Sequence, residues 1–310
     1  MFLVYALIYS LPTSYTEKMA RQLATQPGTL KSAEQWLSEL NAQYGLDKGL
    51  VGGFFVWLGN AVQGNFGDSW NWTVPVTEQF NKTIWYSFIL GAVAFVIQTA
   101  IAIPLGIVAA KKQYSLTDYT VTVVSLIGIS MPTFFVATIY KLIFAVKLNL
   151  VEINGMIGRD FHNLTPFGQF LDMASHFFMP ALTLVTVGIG GLMRYTRTNT
   201  LEVLNADYIR TARAKGLSEK RVIGYHAFRN TLIPIVTILG GSLPGLFSGA
   251  LITETLFAIR GIGYASYHSM VNGDIPFTMF YLSFMAILTL LGTLIADVLY
   301  AVVDPRVRVN

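Results

Sequence analysis

Asn205-Ala206-Asp207-Tyr208-Ile209-Arg210-Thr211-Ala212-Arg213-Ala214-Lys215-Gly216 lies between two long apolar stretches. These residues spell a short, basic, separately capped helix where a membrane chain ordinarily needs only a loop. Asn205 carries an N-cap side chain and Asp207 sits in the first turn. Arg213 and Lys215 fall in the last turn, and Gly216 stands where a left-handed residue closes a helix. Ser218 restarts a second helix through Val222 and Ile223 toward Phe228. Ala212 and Gly216 are four apart, a small-residue spot at which another backbone can come close. A helix built this way suits the grip of a partner.

Its flanks set the class. The 310 residues are 53% hydrophobic and 12% charged, against roughly a quarter charged in soluble domains. Residues 83–110, 119–140, 230–253 and 275–296 contain no Asp, Glu, Lys or Arg, and 173–193 contains only His176 as a titratable group. Each can cross a hydrocarbon core of about 30 Å. The expectation is an all-α polytopic membrane protein with spans at about 83–110, 119–146, 173–193, 230–253 and 275–303. The apolar segment 1–12 is too short to span and lacks the basic start of a signal peptide. It reads as the outer half of a first transmembrane helix, or as an interfacial segment.

Basic residues set the orientation. Residues 111–118, 194–229 and 304–310 hold 12 Lys and Arg in 51 positions, whereas 13–82, 147–172 and 254–274 hold 8 in 117. The dense set is expected in the cytoplasm, with the 205–216 helix and the 305–310 tail, and 13–82 is expected outside. The net charge of +4 follows from this asymmetry. No basic patch interleaved with aromatics points to nucleic acid. The absence of Cys excludes disulfides and zinc–thiolate sites.

Within 13–82, Ser32 and Gln35 match a capping box, and Ala33, Trp36, Leu37, Leu40 and Tyr44 recur at helical spacing up to Gly45. Gly64-Asn65-Phe66-Gly67-Asp68-Ser69-Trp70 reads as a turn-rich loop. Prolines 104, 132, 180, 234 and 244 fall within the spans, where each removes a backbone hydrogen bond. Gly240-Gly241, Pro244-Gly245 and Gly249 serve either close helix packing or an irregular wall along a cavity.

Residues 207–234 resemble the cytoplasmic EAA loop of ABC-importer permeases, in the version carried by the peptide/nickel family. The wording that carries the likeness is Tyr208-Ile209-Arg210-Thr211-Ala212-Arg213-Ala214-Lys215-Gly216-Leu217, then His226-Ala227-Phe228-Arg229-Asn230. The usual first acidic position holds Arg210, which is the oligopeptide/dipeptide wording. Gly64–Ser69 resembles the family's outer Gly-Asp-Leu-Gly-x-Ser turn, with Asn65 for Asp. Ser130-Met131-Pro132-Thr133-Phe134 resembles its third-helix signature and Asp304-Pro305-Arg306-Val307-Arg308 its closing motif. Glu254-Thr255-Leu256-Phe257 and Gly261-Ile262-Gly263 resemble the outer loop before the last helix, with Arg260 where Pro is usual. The early Pro-Gly-Asp is absent, Pro12-Thr13-Ser14 standing in its place.

The resemblance implies a type I ABC importer permease fold over 83–304, closest to the B-type subunit of an oligopeptide importer. It implies a non-catalytic subunit that moves oligopeptides. Its expected partners are a homologous second permease, two ATPase subunits, which would hold ATP and Mg, and an extracytoplasmic peptide-binding protein. Residues 207–217 (Asp207, Tyr208, Ile209, Arg210, Thr211, Ala212, Arg213, Ala214, Lys215, Gly216 and Leu217) would couple to the ATPase. Tyr208, Ile209 and Ala212 would fill its groove, and Arg210, Arg213 and Lys215 would meet acidic or polar groups. Met131, Pro132, Phe134, Pro244 and Phe247 would line the path. A nickel, dipeptide or sugar importer shares these motifs. An ATP-independent secondary transporter predicts intramembrane charge relays or repeats, which the sequence lacks.

Ionisable residues near the spans are functional candidates. Asp297 pairs with an inner basic residue or gates. Lys141 and Lys147 are expected to snorkel outward, and His176, Arg159 and Asp172 to lie in a solvated outer loop or meet a binding protein. No pair of His stands at metal-ligand spacing.

Overall fold

The computed structural model describes residues 1–10, 15–25, 31–43 and 45–303. Tyr44, the Pro12-Thr13-Ser14 segment, the 304–308 motif and the 305–310 tail lie outside the described residues. In chain order the α-helices are α1 Phe2–Tyr9, α2 Tyr15–Ala24, α3 Ala33–Gln43, α4 Gly49–Val62, α5 Val76–Lys111, α6 Leu116–Ser130 and α7 Thr133–Tyr140. They continue as α8 Pro166–Leu204, α9 Asp207–Ala214, α10 Glu219–Arg221, α11 Phe228–Ser242, α12 Leu251–Leu256, α13 Ile262–Asn272 and α14 Ile275–Val303. Four helical segments of the described residues are long and apolar enough to cross a membrane, or five if a bent pair counts as one. The chain forms two compact units, Met1–Ile84 with Tyr264–Ile287 and Trp85–Gly263 with Leu288–Asn310.

In the first unit the capping box forms as its residue types require. Ser32 N–H donates to Gln35 Oε1 at 3.0 Å and Gln35 N–H to Ser32 Oγ at 3.3 Å, and Gly45 closes α3 with a left-handed φ of 67°. Sequence periodicity did not reveal α4, because Gly49, Gly52, Gly53 and Gly59 dilute its apolar stripe. Phe54 on α4 packs edge-on to Tyr5 of α1, and Met279 completes this core. The 64–70 turn is pinned: Val76 N–H donates to the Gly67 carbonyl at 3.1 Å, and Ser69 Oγ to Asp274 Oδ2 at 2.5 Å. Asp274 Oδ1 accepts the Phe277 N–H at 3.2 Å and so caps α14.

One expected span of the second unit is bent and another ends short of its expected bound. The 119–146 span bends by 103° between α6 and α7. Pro132 has no N–H for the helical ladder, and its ring drives Met131 into extended backbone at φ −82°, ψ 126°. A π-helical turn, Lys141–Lys147, follows α7. The 230–253 span loses its α-helix at Ser242, tightens to a 3-10 turn over Leu243–Phe247, and reverses at Gly249 with φ 78°. The 173–193 span belongs to a 39-residue helix, α8, which carries Pro180 without a break. Small residues let α6 and α8 touch: a Cβ on Gly128 would stand 2.8 Å from the Thr186 carbonyl oxygen.

Candidate functional site

The 205–216 segment forms the expected helix with a different start. Asn205 closes α8, its N–H bonded to the carbonyls of Leu201 and Glu202. Ala206 takes the extended N-cap conformation of α9 and gives no side-chain cap. Two residues, Asn205 and Ala206, therefore separate a 39-residue helix from the surface helix. At the other end Gly216 is left-handed at φ 76°, its N–H bonded to the Arg213 carbonyl at 2.9 Å, and Ser218 begins α10.

Only part of α9 is free to meet a partner. Ile209 and Ala212 are buried in a cluster with Val222 and Ala227, packed by Val203, Leu204 and Leu217. They anchor α9 to its own chain, so the side chains expected to fill a partner's groove are already packed here. The cause is their three-residue spacing, which places them together on the face turned to the 222–227 π-helical segment. Asp207, Tyr208, Arg210, Thr211, Arg213, Ala214, Lys215 and Gly216 are exposed. Arg213 pairs with Glu219 at 2.7 Å and Arg210 lies 3.6 Å from Asp207, so α9 presents an aromatic ring among paired and free cations.

Behind α9, Arg197 of α8 grips Asp118 of α6. Nε and Nη2 both donate to the carboxylate, the latter at 2.8 Å, and Tyr114 N–H adds a third donor at 2.9 Å. Asp118 is buried and Arg197 partly so, so the pair fixes α6 to the end of α8 that leads into α9. Charge patterning did not reveal it, since 79 residues separate the partners.

The path residues divide. Met131, Pro132 and Phe134 sit at the elbow of α6 and α7, Phe134 with 55% of its surface exposed. Phe247 stacks on Phe88, ring centroids 4.5 Å apart. Pro244 is buried in the packing against Gly292, where a Cβ would collide with its ring. Close helix packing therefore explains Pro244, whereas Gly241 and Gly245 have open space beside them.

Glu254 is the most deeply held carboxylate of this unit, with 0% exposure. Its Oε1 accepts from Ser87 Oγ at 2.6 Å and from Ala250 N–H at 2.9 Å. Ser87 Oγ in turn accepts the Ile262 N–H at 2.7 Å. Gly261 and Gly263 are required beside it, since a Cβ on either would fall within 3.0 Å of the carboxylate group. The Glu254 and Gly261-Ile262-Gly263 motifs are thus two halves of one knot. Arg260, in the place of the usual Pro, uses an N–H that Pro lacks: it donates to Met156 Sδ at 3.4 Å.

Two outer-loop expectations are also corrected. Lys141 does not snorkel: Nζ donates to Asn154 Oδ1 at 2.7 Å and to the Leu256 carbonyl, and lies 5.1 Å from the Phe257 ring centre. His176 is buried, with Nδ1 at 2.8 Å from the Asp172 carbonyl oxygen. Asp297 is exposed and forms no ion pair among the described residues.

Lipid-length helices, one of them a sharply bent pair, and a polar surface helix standing on an apolar footing define a membrane-embedded transport subunit. The family described as binding-protein-dependent transport system inner membrane component matches residues 102–309, and the chain belongs to that family. It is 38% identical to the oligopeptide transport system permease protein AppB of Bacillus subtilis over 86% of this chain and 83% of that one. It is 33% identical to the dipeptide transport system permease protein DppB of Escherichia coli over 99% and 93%. Among solved structures, the MetNI methionine ABC transporter in inward-facing form superposes with a TM-score of 0.56 at 15% identity. That likeness covers 74% of this chain and 97% of the other, and shows the fold.

Proposed function

We propose that this chain is the permease subunit of an ATP-driven importer that moves short peptides across the cell membrane. The single observation that carries the reading is α9, whose apolar face is consumed by its own chain while its Tyr208 and basic face stay open. The names of the relatives at 33–38% identity supply the substrate class. The basic ends, with α9 and the C-terminus, face the cytoplasm on the positive-inside argument. A second permease, two ATPases holding ATP and Mg2+, and a binding protein outside complete the assembly.

In this reading Tyr208, Arg210, Arg213 and Lys215 enter a groove on an ATPase. When the ATPases close, α9 is displaced as a rigid body. The two-residue link Asn205-Ala206 passes that displacement to α8, and the Arg197–Asp118 pair passes it to α6. At the far end of α6 is the Met131–Pro132 elbow, where the backbone already has two directions. The chain's own residues thus hold, transmit and bend.

The chain has no Cys, which makes site-specific crosslinking direct. Tyr208→Cys and Arg210→Cys should crosslink to an ATPase subunit in the assembled complex, whereas Ile209→Cys should not react until the protein unfolds. An α9 that stays solvent-exposed and uncrosslinked in an intact, peptide-transporting assembly would refute the reading.

A further inference from the structure

The second unit carries a groove of about 430 Å3 between α5 and α6, floored by α8. Leu105 of α5, Leu116, Thr120, Val121 and Val124 of α6, and Met193 of α8 line it. Val121 and Met193 are buried, whereas Leu105, Leu116 and Val124 are exposed, so the floor is closed and the side open. The Thr120 hydroxyl donates to the Leu116 carbonyl at 2.8 Å, which satisfies it within its own helix and keeps the wall apolar. From Leu116 to Val124 the groove follows α6 for about 12 Å at 1.5 Å per residue. One leaflet supplies about 15 Å of hydrocarbon, so the slot has the depth of an acyl chain's upper part.

Charge is confined to one end of this groove. Beyond Val124 no Asp, Glu, Lys or Arg occurs up to Tyr140. At the Leu116 end, α5 finishes at Lys111 and Lys112 follows, both exposed and in no salt bridge among the described residues. Lys111 stands within electrostatic reach of Glu219, but Glu219 is already held by Arg213 at 2.7 Å. Asp118, beside the groove wall, is buried and gripped by Arg197, so its charge is answered inside the chain. The mouth therefore keeps a positive balance. Tyr114 stands there too, 73% exposed and left-handed at φ 63°. Its N–H is fixed to Asp118 Oδ2 at 2.9 Å, in the loop where an aromatic ring meets the headgroup layer.

We propose that this groove binds an anionic phospholipid, with one acyl chain laid along α6 and the phosphate beside Lys111 and Lys112. An apolar slot with cations at a single end has the polarity of such a lipid, and basic groups at a cleft between helices attract its headgroup. A zwitterionic headgroup brings a cation of its own to a mouth that is already positive. Only the choice of the cytoplasmic leaflet rests on the orientation proposed above; the binding itself does not. The site adjoins the Arg197–Asp118 pair, since Thr117 and Val121 stand on either side of Asp118 in the sequence and Met193 is one turn before Arg197.

The test is native mass spectrometry of the purified full chain in detergent, where there is no sidedness and the outcome is independent of orientation and of ATPase coupling. Palmitoyl-oleoyl phosphatidylglycerol should form its first adduct about tenfold more tightly than phosphatidylcholine with the same chains, each nearby lysine adding roughly fivefold. The double variant Lys111→Gln/Lys112→Gln, which changes only exposed side chains, should bring the two lipids level. Thr120→Trp fills the slot without touching the charges and should also lose the tight adduct. Glycerol 3-phosphate, a headgroup without chains, should not displace the lipid. In the intact assembly, Thr120→Cys carrying a benzophenone maleimide should crosslink to phospholipid. Equal binding of the two lipids, a double variant that keeps the preference, a tight adduct retained by Thr120→Trp, or displacement by glycerol 3-phosphate would overturn the proposal. So would a crosslink from Thr120→Cys to a second protein chain, which would make the groove a subunit interface.

Discussion

Ser87 Oγ donates to Glu254 Oε1 at 2.6 Å and at the same time accepts the Ile262 N–H at 2.7 Å. One hydroxyl therefore joins α5, α12 and the start of α13. Both side chains are buried, so no water can replace a lost partner. Glu254→Ala should destabilise the protein by about 3 kcal/mol, because buried donors at Ser87 and Ala250 lose their acceptor. Glu254→Gln keeps one oxygen and should cost less. Thermal unfolding in detergent measures both, and an unshifted midpoint for Glu254→Ala would contradict the knot.

The Arg197–Asp118 pair should be needed for coupling as well as for stability. Arg197→Met leaves the buried Asp118 carboxylate with only the Tyr114 N–H, at a cost of about 3 kcal/mol. Asp118→Asn keeps the shape but not the charge, so α6 should no longer follow α8. In reconstituted transporter the expected result is ATP hydrolysis with little peptide uptake. Uptake at the wild-type ratio to hydrolysis would remove the pair from the transmission route.

Gly216 separates docking from folding. A Cβ there would meet nothing within 4 Å in this chain, but φ is 76°. Gly216→Asp should therefore cost only backbone strain of about 1 kcal/mol and leave membrane insertion normal. Uptake should be lost, because the new carboxylate stands beside Arg213 and Lys215 at the docking end. Wild-type uptake in a normally inserted Gly216→Asp variant would place the docking surface elsewhere.

Much of this architecture was legible because it depends on local chemistry. The capping box at Ser32 and Gln35, the left-handed Gly216 and the restart at Ser218 follow from a few adjacent residues. Apolar runs located the lipid-length helices but not the bend at Met131 or the end of the helix at Phe247. Hydropathy counts a prolyl residue like its neighbours, whereas the backbone bends where Pro132 forces Met131 to extend. The site was half legible for a related reason. Basic residues marked α9, but burial of Ile209 and Ala212 depends on Val222 and Ala227 beyond the next turn. Glu254–Ser87 and Asp118–Arg197 are long-range pairs that no window can hold, and His176 was misplaced because its burial comes from tertiary packing.

The cap of α14 predicts a pH effect of definite sign. Burial raises the Asp274 carboxyl above the usual carboxylate range, against the opposing pull of donors at Ser69, Asn71, Trp70 and Phe277. A raised folded value means that the folded state holds its proton more tightly than the unfolded chain does. Stability from this group is then complete below the ordinary carboxylate value and declines as pH climbs from there toward the raised one. Asp274→Asn should abolish that slope. It should also destabilise the protein at every pH, by about 1–2 kcal/mol, because an amide NH2 then faces groups that themselves donate. Unfolding midpoints measured between pH 4 and 7 for both proteins test this: wild type should fall relative to Asp274→Asn as pH rises. A difference that stays constant, or that grows in favour of wild type, would mean the carboxyl is charged throughout and that its four donors outweigh its burial.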